Sequence, residues 1–458
     1  MSEGRRLPPS FLWGAATSSF QIEGATTEDG RGESIWDRYC RQPGAIADGT
    51  DGAVACDHFH RWPEDVGLMR ELGLNAYRFS VAWPRVLPDG VGATNPKGLD
   101  FYERLVDGLL SKGLRPMLTL YHWDLPQVLQ DKGGWASREI VGAFEHYTDV
   151  VTRRLGDRVK DWVTINEPWC VAVLGHVHGV QAPGLKDWKL GLRAAHHVLL
   201  AHGRAVPIIH ANSPASRAGI VVILSPSMPA SDSAADQTAA RAFDGEFNRW
   251  YLDPLHGRGY PADKKDEYTA AGHSSNFDFV QPGDLETIAT PTDFLGINYY
   301  SRAIVRSSAI PESENRPRLI PEPLASSRTD MGWEVYPEGL TASLQRVHRE
   351  YGAKRIFVTE NGAAYAMEPG PDGDVHDEPR RAYLEGHVNA CCDAIDSGVP
   401  LEGYFAWSLL DNFEWAFGYR MRFGLVHVDF ATQKRTIKDS GRWLSQVLRD
   451  NRLPGRAT

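Results

Sequence analysis

Short hydrophobic runs recur along the chain and alternate with longer segments that have a helical pattern. Near-continuous hydrophobic runs are typical of strands that are buried on both faces, as in parallel sheets. The pattern therefore predicts eight strands. They are Phe11–Ala15, Asn75–Val81, Pro116–Tyr121, Trp162–Ile165, Ala218–Leu224, Phe294–Tyr300, Arg355–Thr359 and Gly403–Leu409.

The intervening segments carry apolar residues at helical spacing, together with residues that begin or end helices. In Leu99–Leu110 the apolar positions recur every three or four residues, which predicts an amphipathic helix. Ser137 is predicted to be the N-cap of a helix that ends near Gly156. A further helix is predicted to begin at Pro337 and to end at Gly352.

Strand followed by helix, eight times over, predicts an α/β fold, a single (β/α)8 TIM barrel. A doubly wound open sheet is the alternative, but it usually has a glycine-rich turn after the first strand, and residues 14–17 read Gly-Ala-Ala-Thr. The segments 226–262 and 307–330 are rich in Ser, Pro, Asp and Glu and are predicted to be long loops on the barrel rim. Residues 1–458 are thus expected to form one domain.

Composition narrows the class of protein. The net charge is −10 with both signs interspersed, which argues against a nucleic-acid-binding surface. No apolar run is long enough to span a bilayer, and residues 1–10 lack the apolar stretch of a secretory signal. Five cysteines, of which Cys391 and Cys392 are adjacent, do not resemble a disulfide framework. We therefore expect a cytoplasmic protein without a nucleic-acid or membrane partner.

Polar and aromatic residues follow the predicted strands at the ends where barrel enzymes carry their catalytic groups. The 14 tryptophans fit a sugar site, although large domains also bury aromatic residues, and composition alone favours that simpler explanation. The segments at these ends are 77–80, 121–124, 164–168, 298–300, 359–362 and 407–415.

Two glutamates, Glu167 and Glu360, stand at the ends of the fourth and seventh predicted strands. Pro168 is expected to keep Glu167 extended, and Gly362 is expected to permit a sharp turn after Glu360. Paired carboxylates across a cleft are what glycoside cleavage requires, since one attacks the anomeric carbon while the other protonates the leaving oxygen. Either glutamate alone could be a structural ion-pair residue. Together with their neighbours they predict a glycosidase site that needs no metal or cofactor.

Four segments resemble the signature segments of glycoside hydrolase family 1, the β-glucosidase family: Phe11–Gly24, Thr164–Pro168, Val358–Gly362 and Trp407–Trp415. The resemblance extends from about residue 8 to about residue 450. It implies a retaining β-glucosidase that removes terminal non-reducing β-D-glucosyl residues by double displacement. β-Galactosides and β-fucosides are further candidate substrates, and the implied partners are small β-glucosides and short, cellobiose-like oligosaccharides.

The resemblance also implies the roles of individual residues. Glu360 is the implied nucleophile, held by Arg78, Tyr300 and Asn298, and Glu167 is the implied general acid/base, with a pKa raised by the nearby Glu360. The residues implied to bind the non-reducing sugar are Gln21, His122, Asn166, Tyr300, Trp407, Glu414 and Trp415. The implied leaving-group side contains Trp169, Leu174 and Trp333.

Some of these residues also have a structural interpretation. A histidine after a strand, such as His122, is more often a structural hydrogen-bonding group, and Trp123 could be a core residue. The pairs His58/His60 and His176/His178 resemble metal ligands only in spacing and are predicted to be inert. Cys170 follows the implied acid/base, but nothing in the sequence marks it as a nucleophile.

Several alternatives remain at the level of sequence. A 6-phospho-β-glycosidase would resemble this chain but carry a serine and a nearby lysine in place of Glu414 and Trp415, and a thioglucosidase would carry glutamine in place of Glu167. A non-catalytic sugar-binding relative would lack one of the two carboxylates. The sequence leaves three properties open. They are the share of transglycosylation, the preference for glucose over galactose or fucose, and whether the protein is a monomer or a homo-oligomer.

Overall fold

Eight parallel strands form a closed barrel in which each strand pairs with its neighbours in chain order. The computed structural model describes residues 5–309, 328–450 and 452–453. The first to eighth barrel strands are Leu12–Ala16, Ala76–Ser80, Arg115–Tyr121, Asp161–Asn166, Arg217–Ile223, Phe294–Asn298, Ile356–Asn361 and Leu401–Trp407.

The predicted barrel is confirmed, and closure of the sheet excludes the open doubly wound alternative. Each of the eight hydrophobic runs overlaps one strand, and the boundaries differ by at most two residues. Every residue of the second, fourth and seventh strands is buried. These strands read as continuous hydrophobic runs because one face contacts the barrel interior and the other contacts helices.

Helices surround the barrel, and no helix of the described ranges is long and apolar enough to cross a bilayer. A parallel pair of short strands, Ser227–Pro229 and Ala303–Val305, and an antiparallel pair, Val426–Asp429 and Lys434–Ile437, lie outside the barrel. The α-helices are Ser19–Ile22, Ile35–Cys40, His58–Glu71, Trp83–Val86, Pro96–Ser111, Gln127–Gln130, Glu139–Leu155, Trp188–Asn212, Ala234–Asp244, Trp250–Leu255, Ala262–Ala270, Asp284–Ile288, Pro337–Tyr351, Glu378–Asp396 and Asp439–Asp450. Shorter 3-10 helices are Gly134–Ala136 and Trp415–Arg420, and π-helices are Cys170–His178 and Gly245–Arg249.

The helix predicted to have Ser137 as its N-cap begins at Glu139, one residue later than that cap implies. Arg138 is the N-cap of Glu139–Leu155, and no side chain caps it. Ser137 instead ends the preceding 3-10 helix Gly134–Ala136, which uses the backbone N–H of Ser137 for its own hydrogen bond to Gly134. The prediction of an N-cap at Ser137 was therefore wrong. The helix over Pro337–Tyr351, with Gly352 at φ 69° as its C-cap, follows the sequence pattern.

The segment 226–262, predicted to be a loop, is mostly helical. Its polar start forms a short strand and a turn, and Ser233 then caps a helix by accepting a hydrogen bond from the backbone N–H of Asp236 at 3.1 Å. Composition misled the prediction because Ser, Pro and Asp are concentrated in residues 226–236, whereas helix-forming alanines recur over 234–242 and the aromatic residues Trp250 and Tyr251 are buried. Of the segment 307–330, the other predicted loop, residues 310–327 lie outside the described residues.

Gly362 is needed for close packing rather than for a turn. Its φ is not positive, and the seventh strand continues to Asn361. A Cβ atom at Gly362 would lie 1.7 Å from the carbonyl oxygen of Trp407, at the end of the eighth strand. Since that neighbour is backbone, a side chain cannot be accommodated without separating the two strand ends.

We expect Gly362→Ala to destabilise the fold by about 1–3 kcal/mol or more, as overpacking of a tight interior does. Gly142→Ala is the matched control, because Gly142 lies within the helix Glu139–Leu155 with open space around its Cβ position. The control should be neutral or stabilising by up to about 1 kcal/mol. Urea unfolding of both variants measures the difference, and equal stabilities would contradict the packing argument.

Candidate active site

A cavity of about 1020 Å³ lies at the C-terminal ends of the barrel strands and contains both glutamates, Glu167 and Glu360, in its wall. Its other polar lining includes Glu414 and His122. Most of the remaining wall is aromatic or aliphatic: Trp123, Trp169, Leu174, Ile223, Leu224, Phe243, Phe247, Tyr300, Met331, Trp333, Trp407, Trp415, Phe417 and Phe423. A concave, largely apolar cavity with a few convergent polar groups is typical of a small-molecule site.

Glu360 is almost fully buried, and both oxygens of its carboxylate accept hydrogen bonds. Arg78 Nη1 donates to Oε1 at 2.6 Å, and the hydroxyl of Tyr300 donates to Oε2 at 2.7 Å. Burial raises the pKa of Glu360 above its usual value, and the charge of Arg78 and the hydroxyl of Tyr300 limit that rise. The two donors fix the orientation of the carboxylate and stabilise its ionised form.

Arg78 also organises the floor of the site. It is 1% exposed, and besides Glu360 its guanidinium donates to Asn166 Oδ1 at 2.6 Å and to Thr119 Oγ1 at 3.2 Å. These partners lie on the seventh, fourth and third barrel strands, whereas Arg78 is on the second. One side chain therefore ties together the ends of four strands beneath the cavity.

Glu167 has a left-handed backbone conformation, so the prediction that Pro168 would keep it extended was wrong. The fourth strand ends at Asn166, and Glu167 has φ 49°. Its backbone N–H donates to the carbonyl oxygen of Val221 on the fifth strand at 2.9 Å, where the strand pairing is irregular. The local preference that a following proline imposes is overridden by this tertiary hydrogen bond.

Both carboxylate oxygens of Glu167 accept hydrogen bonds. Asn298 Nδ2 donates to Oε1 at 2.6 Å, and the thiol of Cys170 donates to Oε2 at 2.9 Å. Burial, and then the negative charge of Glu360, raise the pKa of Glu167 to about 8. Near neutral pH the group is therefore protonated, which a general acid requires.

Asn298 hydrogen-bonds Glu167, whereas the resemblance implied that it holds Glu360. The hydroxyl of Thr359 donates to Asn298 Oδ1 at 2.7 Å, and this bond turns the NH2 group toward the two acids. The NH2 group bonds Glu167 Oε1 and, at 3.2 Å, Asn166 Oδ1. Asn298 lowers the pKa of both Glu167 and Glu360.

Gln21 and Glu414 meet at the end of the cavity formed by the first and eighth strands. Gln21 Nε2 donates to Glu414 Oε2 at 3.3 Å and to the carbonyl oxygen of Phe413 at 2.9 Å, and Gln21 itself is fully buried. Burial, and then the charge of Glu360, raise the pKa of Glu414 to about 8. Glu414 lines the cavity, so its carboxyl group is available to a ligand hydroxyl.

His122 has a defined tautomer and an unused ring nitrogen. Asn166 Oδ1 accepts from Arg78 and Asn298, so the Asn166 NH2 group faces His122 Nε2 at 3.1 Å. Burial, and then the charge of Arg78, hold the pKa of His122 well below its usual value, so the ring is neutral. Nε2 then accepts from Asn166 and Nδ1 carries the hydrogen. This N–H is buried without a protein partner in the described structure, so it can donate to a ligand.

Three tryptophans, Trp123, Trp407 and Trp415, line the same end of the cavity. His122 stacks between Trp407 and Trp415 at ring distances of 5.8 and 5.9 Å. Trp123 is not a simple core residue, because it lines the cavity while its indole N–H donates to the carbonyl oxygen of Asn166 at 2.9 Å. Flat apolar rings beside polar donors and acceptors match the two surfaces of a sugar ring.

The opposite side of the cavity is aromatic and includes residues that the sequence analysis missed. Trp169, Leu174 and Trp333 line it, as the resemblance implied. Phe247 packs on Trp169 with ring centroids 4.4 Å apart, and Phe243 stacks on Phe247 at 5.4 Å. Both phenylalanines come from the helical segment that was predicted to be a loop. Their spacing of four residues was the available signal, since it places two rings on one helical face.

The histidine pairs lie in ordinary hydrogen-bonding environments. His58 Nδ1 bonds Asp65 at 2.7 Å, His60 bonds Asp57 at 2.6 Å, and His176 bonds the carbonyl oxygen of Val171. Within residues 5–309, 328–450 and 452–453, no group of three or more His, Cys, Asp or Glu side chains is arranged to hold a metal ion.

The sequence model of glycosyl hydrolase family 1 matches residues 3–453, and the chain belongs to this family. It is 47% identical to "Beta-glucosidase A" of Acetivibrio thermocellus, covering 97% of this chain and 98% of that protein. It is 42% identical to a "Bifunctional beta-D-glucosidase/beta-D-fucosidase" of Bifidobacterium breve, covering 97% and 98%. A solved family 1 β-glucosidase from Thermotoga maritima superimposes with a TM-score of 0.93 at 45% identity, covering 99% of this chain and all of that one.

We expect Tyr300→Phe to move the acidic limb of the kcat/KM profile upward by about one pH unit. The ionised form of Glu360 loses a hydrogen bond at Oε2, and a bond to a charged group contributes about 1.5–3 kcal/mol, where one pKa unit corresponds to about 1.4 kcal/mol. The pKa of Glu360 therefore rises, and activity that needs its carboxylate disappears at a higher pH as the solution is acidified.

Tyr299→Phe is the matched control for this measurement. The Tyr299 hydroxyl donates to the carbonyl oxygen of Tyr336 at 2.6 Å and does not contact Glu360. The control should cost some stability and leave the acidic limb in place. An unchanged limb in Tyr300→Phe would refute the proposed contribution of this hydroxyl.

Proposed function

We propose that the protein is a retaining β-glucosidase in which Glu360 is the nucleophile and Glu167 is the general acid/base. The observation that carries this proposal is the difference between two carboxyl groups in the wall of one cavity. Arg78 and Tyr300 favour the ionised form of Glu360, whereas burial and the charge of Glu360 keep Glu167 protonated near neutral pH. Two acids whose surroundings favour opposite protonation states are suited to opposite roles.

In the first step, Glu360 attacks the anomeric carbon while Glu167 gives its proton to the leaving glycosidic oxygen. The C–O bond to the leaving group breaks, and a covalent glycosyl ester forms on Glu360. Forming the ester removes the charge of Glu360, which is one cause of the raised pKa of Glu167. Glu167 therefore becomes a stronger acid and remains ionised after the proton has left.

In the second step, the ionised Glu167 takes a proton from water, and the resulting hydroxide equivalent displaces Glu360 from the sugar. The two inversions give net retention, and the returning charge on Glu360 restores the raised pKa of Glu167. Retaining glycosidases have carboxyl groups about 5–5.5 Å apart, which leaves no space for a water molecule between them.

The non-reducing sugar is held by groups around the inner end of the cavity. The free Nδ1–H of His122 donates to one hydroxyl, and Glu414, supported by Gln21, accepts from others. Trp407 and Trp415 provide the apolar surface for the ring. Asn166 is held by Arg78 and His122. We expect its NH2 group to donate to the 2-hydroxyl, where hydrogen bonds strengthen in the transition state.

The proposed substrates are small β-glucosides and short, cellobiose-like oligosaccharides, with β-fucosides as further candidates. The names of relatives support this range, because they include a "1,4-beta-D-glucan glucohydrolase" of Thermotoga neapolitana and the glucosidase/fucosidase of Bifidobacterium breve. The Thermotoga maritima enzyme, at 45% identity, has been solved in complex with glucoimidazole.

The phosphorylated-substrate alternative is disfavoured by the groups at the inner end of the cavity. Glu414 lies in the cavity wall, and no lysine is among the cavity-lining residues of the described chain. A phosphate dianion at this end would face a carboxyl group instead of a cation. A binding protein without turnover is disfavoured because both carboxyl groups are present in one cavity.

We also propose that residues 1–458 form one catalytic domain and that the protein works in the cytoplasm. The barrel uses strands from Leu12 to Trp407, which supports a single domain. Within the described residues none of the five cysteines forms a disulfide, and four of them are buried, which fits a reducing compartment.

We expect Glu167→Ala to lose activity on 4-nitrophenyl β-cellobioside by 10²-fold or more, because acid catalysis contributes about 10²–10⁴-fold. On 2,4-dinitrophenyl β-glucoside, whose leaving group needs no proton, the first step should survive. Azide should then accelerate turnover and give β-glucosyl azide, which is detected by NMR. Glu360→Ala is the paired control and should show neither residual turnover nor the β-azide.

A substrate panel tests the specificity part of the proposal. The wild-type protein is compared by kcat/KM on 4-nitrophenyl β-glucoside, β-galactoside and β-fucoside, on cellobiose, and on the 6-phosphorylated glucoside, and the first-formed anomer is read by NMR. We expect the β-glucoside to exceed the phosphorylated substrate and β-glucose to appear first. No turnover of any glucoside between pH 5 and 8 would favour a sugar-binding protein instead.

We expect Phe247→Ala to reduce kcat/KM for aryl β-glucosides by about tenfold, because the aromatic wall beside the leaving group loses a ring contact of about 1 kcal/mol or more. Phe247 packs on Trp169, which lines the cavity next to Glu167. Methyl β-glucoside has no aromatic leaving group and is the internal control, so its kcat/KM should remain within twofold. Equal losses on both substrates would mean that Phe247 acts on the whole site rather than on the leaving group.

A further inference from the structure

The two oxygens of Glu167 are not equivalent. Oε1 accepts from the NH2 group of Asn298 at 2.6 Å, and the orientation of that amide is fixed by Thr359 and Asn166. An amide NH2 group donates and cannot accept. The acidic proton of Glu167 is therefore disfavoured on Oε1 and is directed to Oε2.

Oε2 faces the sulfur of Cys170 at 2.9 Å. Burial, and then the charge of Glu167, raise the pKa of the Cys170 thiol well above its usual value, so the group stays a neutral S–H. A thiol is both a weak donor and a weak acceptor of hydrogen bonds. The sulfur can therefore face the oxygen of a protonated carboxyl group and also that of a carboxylate, whereas an amide nitrogen only donates and an alkyl group does neither.

The backbone places the thiol in this position. Cys170 is the first residue of the π-helix Cys170–His178, which begins directly after the turn at Glu167 and Pro168. The N–H of Val171 donates to the backbone carbonyl of Glu167 at 3.3 Å, so the carboxyl group and the thiol lie on the same turn. π-Helical turns are frequent at functional sites because they displace a residue from regular helical register.

We propose that Cys170 is a positioning residue of the reaction, whose thiol together with Asn298 assigns the catalytic proton to Oε2 of Glu167. This inference rests on the proposed acid/base role of Glu167. While Glu167 is protonated, the thiol leaves the Oε2–H free to point at the glycosidic oxygen. After that proton has moved to the leaving group, the S–H donates to the new carboxylate; it releases Oε2 when water returns a proton. The thiol proton itself is never transferred.

The charged and titratable groups around Glu167 are Glu360, Glu414, Arg78, Tyr300 and Cys170. A substitution at Cys170 leaves the first four in place. The thiol hydrogen bond lowers the pKa of Glu167. Removing it raises that pKa, so the alkaline limb of kcat/KM, where Glu167 loses its proton, moves to higher pH.

The test compares Cys170→Ala and Cys170→Ser with the wild type, using 4-nitrophenyl β-glucoside for the pH profile. We expect an upward shift of about half a pH unit in Cys170→Ala, since a weak neutral hydrogen bond is lost. We expect the limb to return to the wild-type position or below it in Cys170→Ser, because a hydroxyl also donates and accepts. With 2,4-dinitrophenyl β-glucoside, kcat should fall about fivefold in the alanine variant, with a smaller change in KM.

Cys391→Ala is the matched control, because Cys391 is an equally buried free cysteine on the helix Glu378–Asp396 and does not line the cavity. It should change stability without moving the limb. Infrared difference spectra give a reading that does not depend on the alanine variant: the S–H stretching band of wild-type Cys170 should shift when Glu167 titrates, and Cys170→Ser should lack this band.

The role of Cys170 would be overturned if the alkaline limbs of Cys170→Ala and Cys170→Ser both coincided with that of the wild type. An S–H band that does not shift when Glu167 titrates would overturn it as well. This failure is distinguishable from failure of the proposed function. If azide rescues Glu167→Ala while the limb in Cys170→Ala stays fixed, Glu167 remains the acid/base and only the thiol assignment is lost. If azide does not rescue Glu167→Ala, the assignment of Glu167 itself fails.

Discussion

The ion pair between Arg78 and Glu360 is the interaction on which the rest of the site depends. Both side chains are buried, and burying two charges is costly unless their remaining hydrogen-bonding positions are filled. Arg78 meets that condition through Asn166 and Thr119. One cation thus stabilises one carboxylate, and the charge of that carboxylate raises the pKa of its neighbour Glu167. Burial is the larger cause of that rise, so the chemical difference between the two acids follows from the burial of Glu167 together with the position of one guanidinium.

The barrel and its catalytic end could be predicted from the sequence because a doubly buried strand has a simple pattern. Hydrophobic residues continue until the strand leaves the barrel, and the first polar residues after that point belong to the cavity. This is why Glu167 and Glu360, although distant along the chain, could be placed at the same end. The family resemblance supplied the individual roles, which the pattern alone left open.

The details that could not be predicted depend on tertiary contacts. Proline after Glu167 suggested an extended backbone, but a hydrogen bond to Val221 imposes a left-handed one. Asn298 faces both acids only because Thr359 fixes its amide. Phe247 lies in a polar segment whose helices pack on the short strand Ala303–Val305 and on the helix Trp188–Asn212. In each case the conformation depends on a contact with a residue that is remote in sequence, and such a contact cannot be predicted from the local sequence pattern.

Trp123, Glu167 and Trp415, which all line the cavity, have positive φ angles of 77°, 49° and 49°. A non-glycine residue with a left-handed backbone stores about 1–3 kcal/mol of strain, so the surrounding structure holds these three residues in a strained conformation. Replacing them with glycine would relieve the backbone strain but would also remove the side chains that the reaction needs. Attempts to make this scaffold more heat-resistant should therefore leave the rim alone and seek their gains on the outer helices, where stability and turnover are not in conflict.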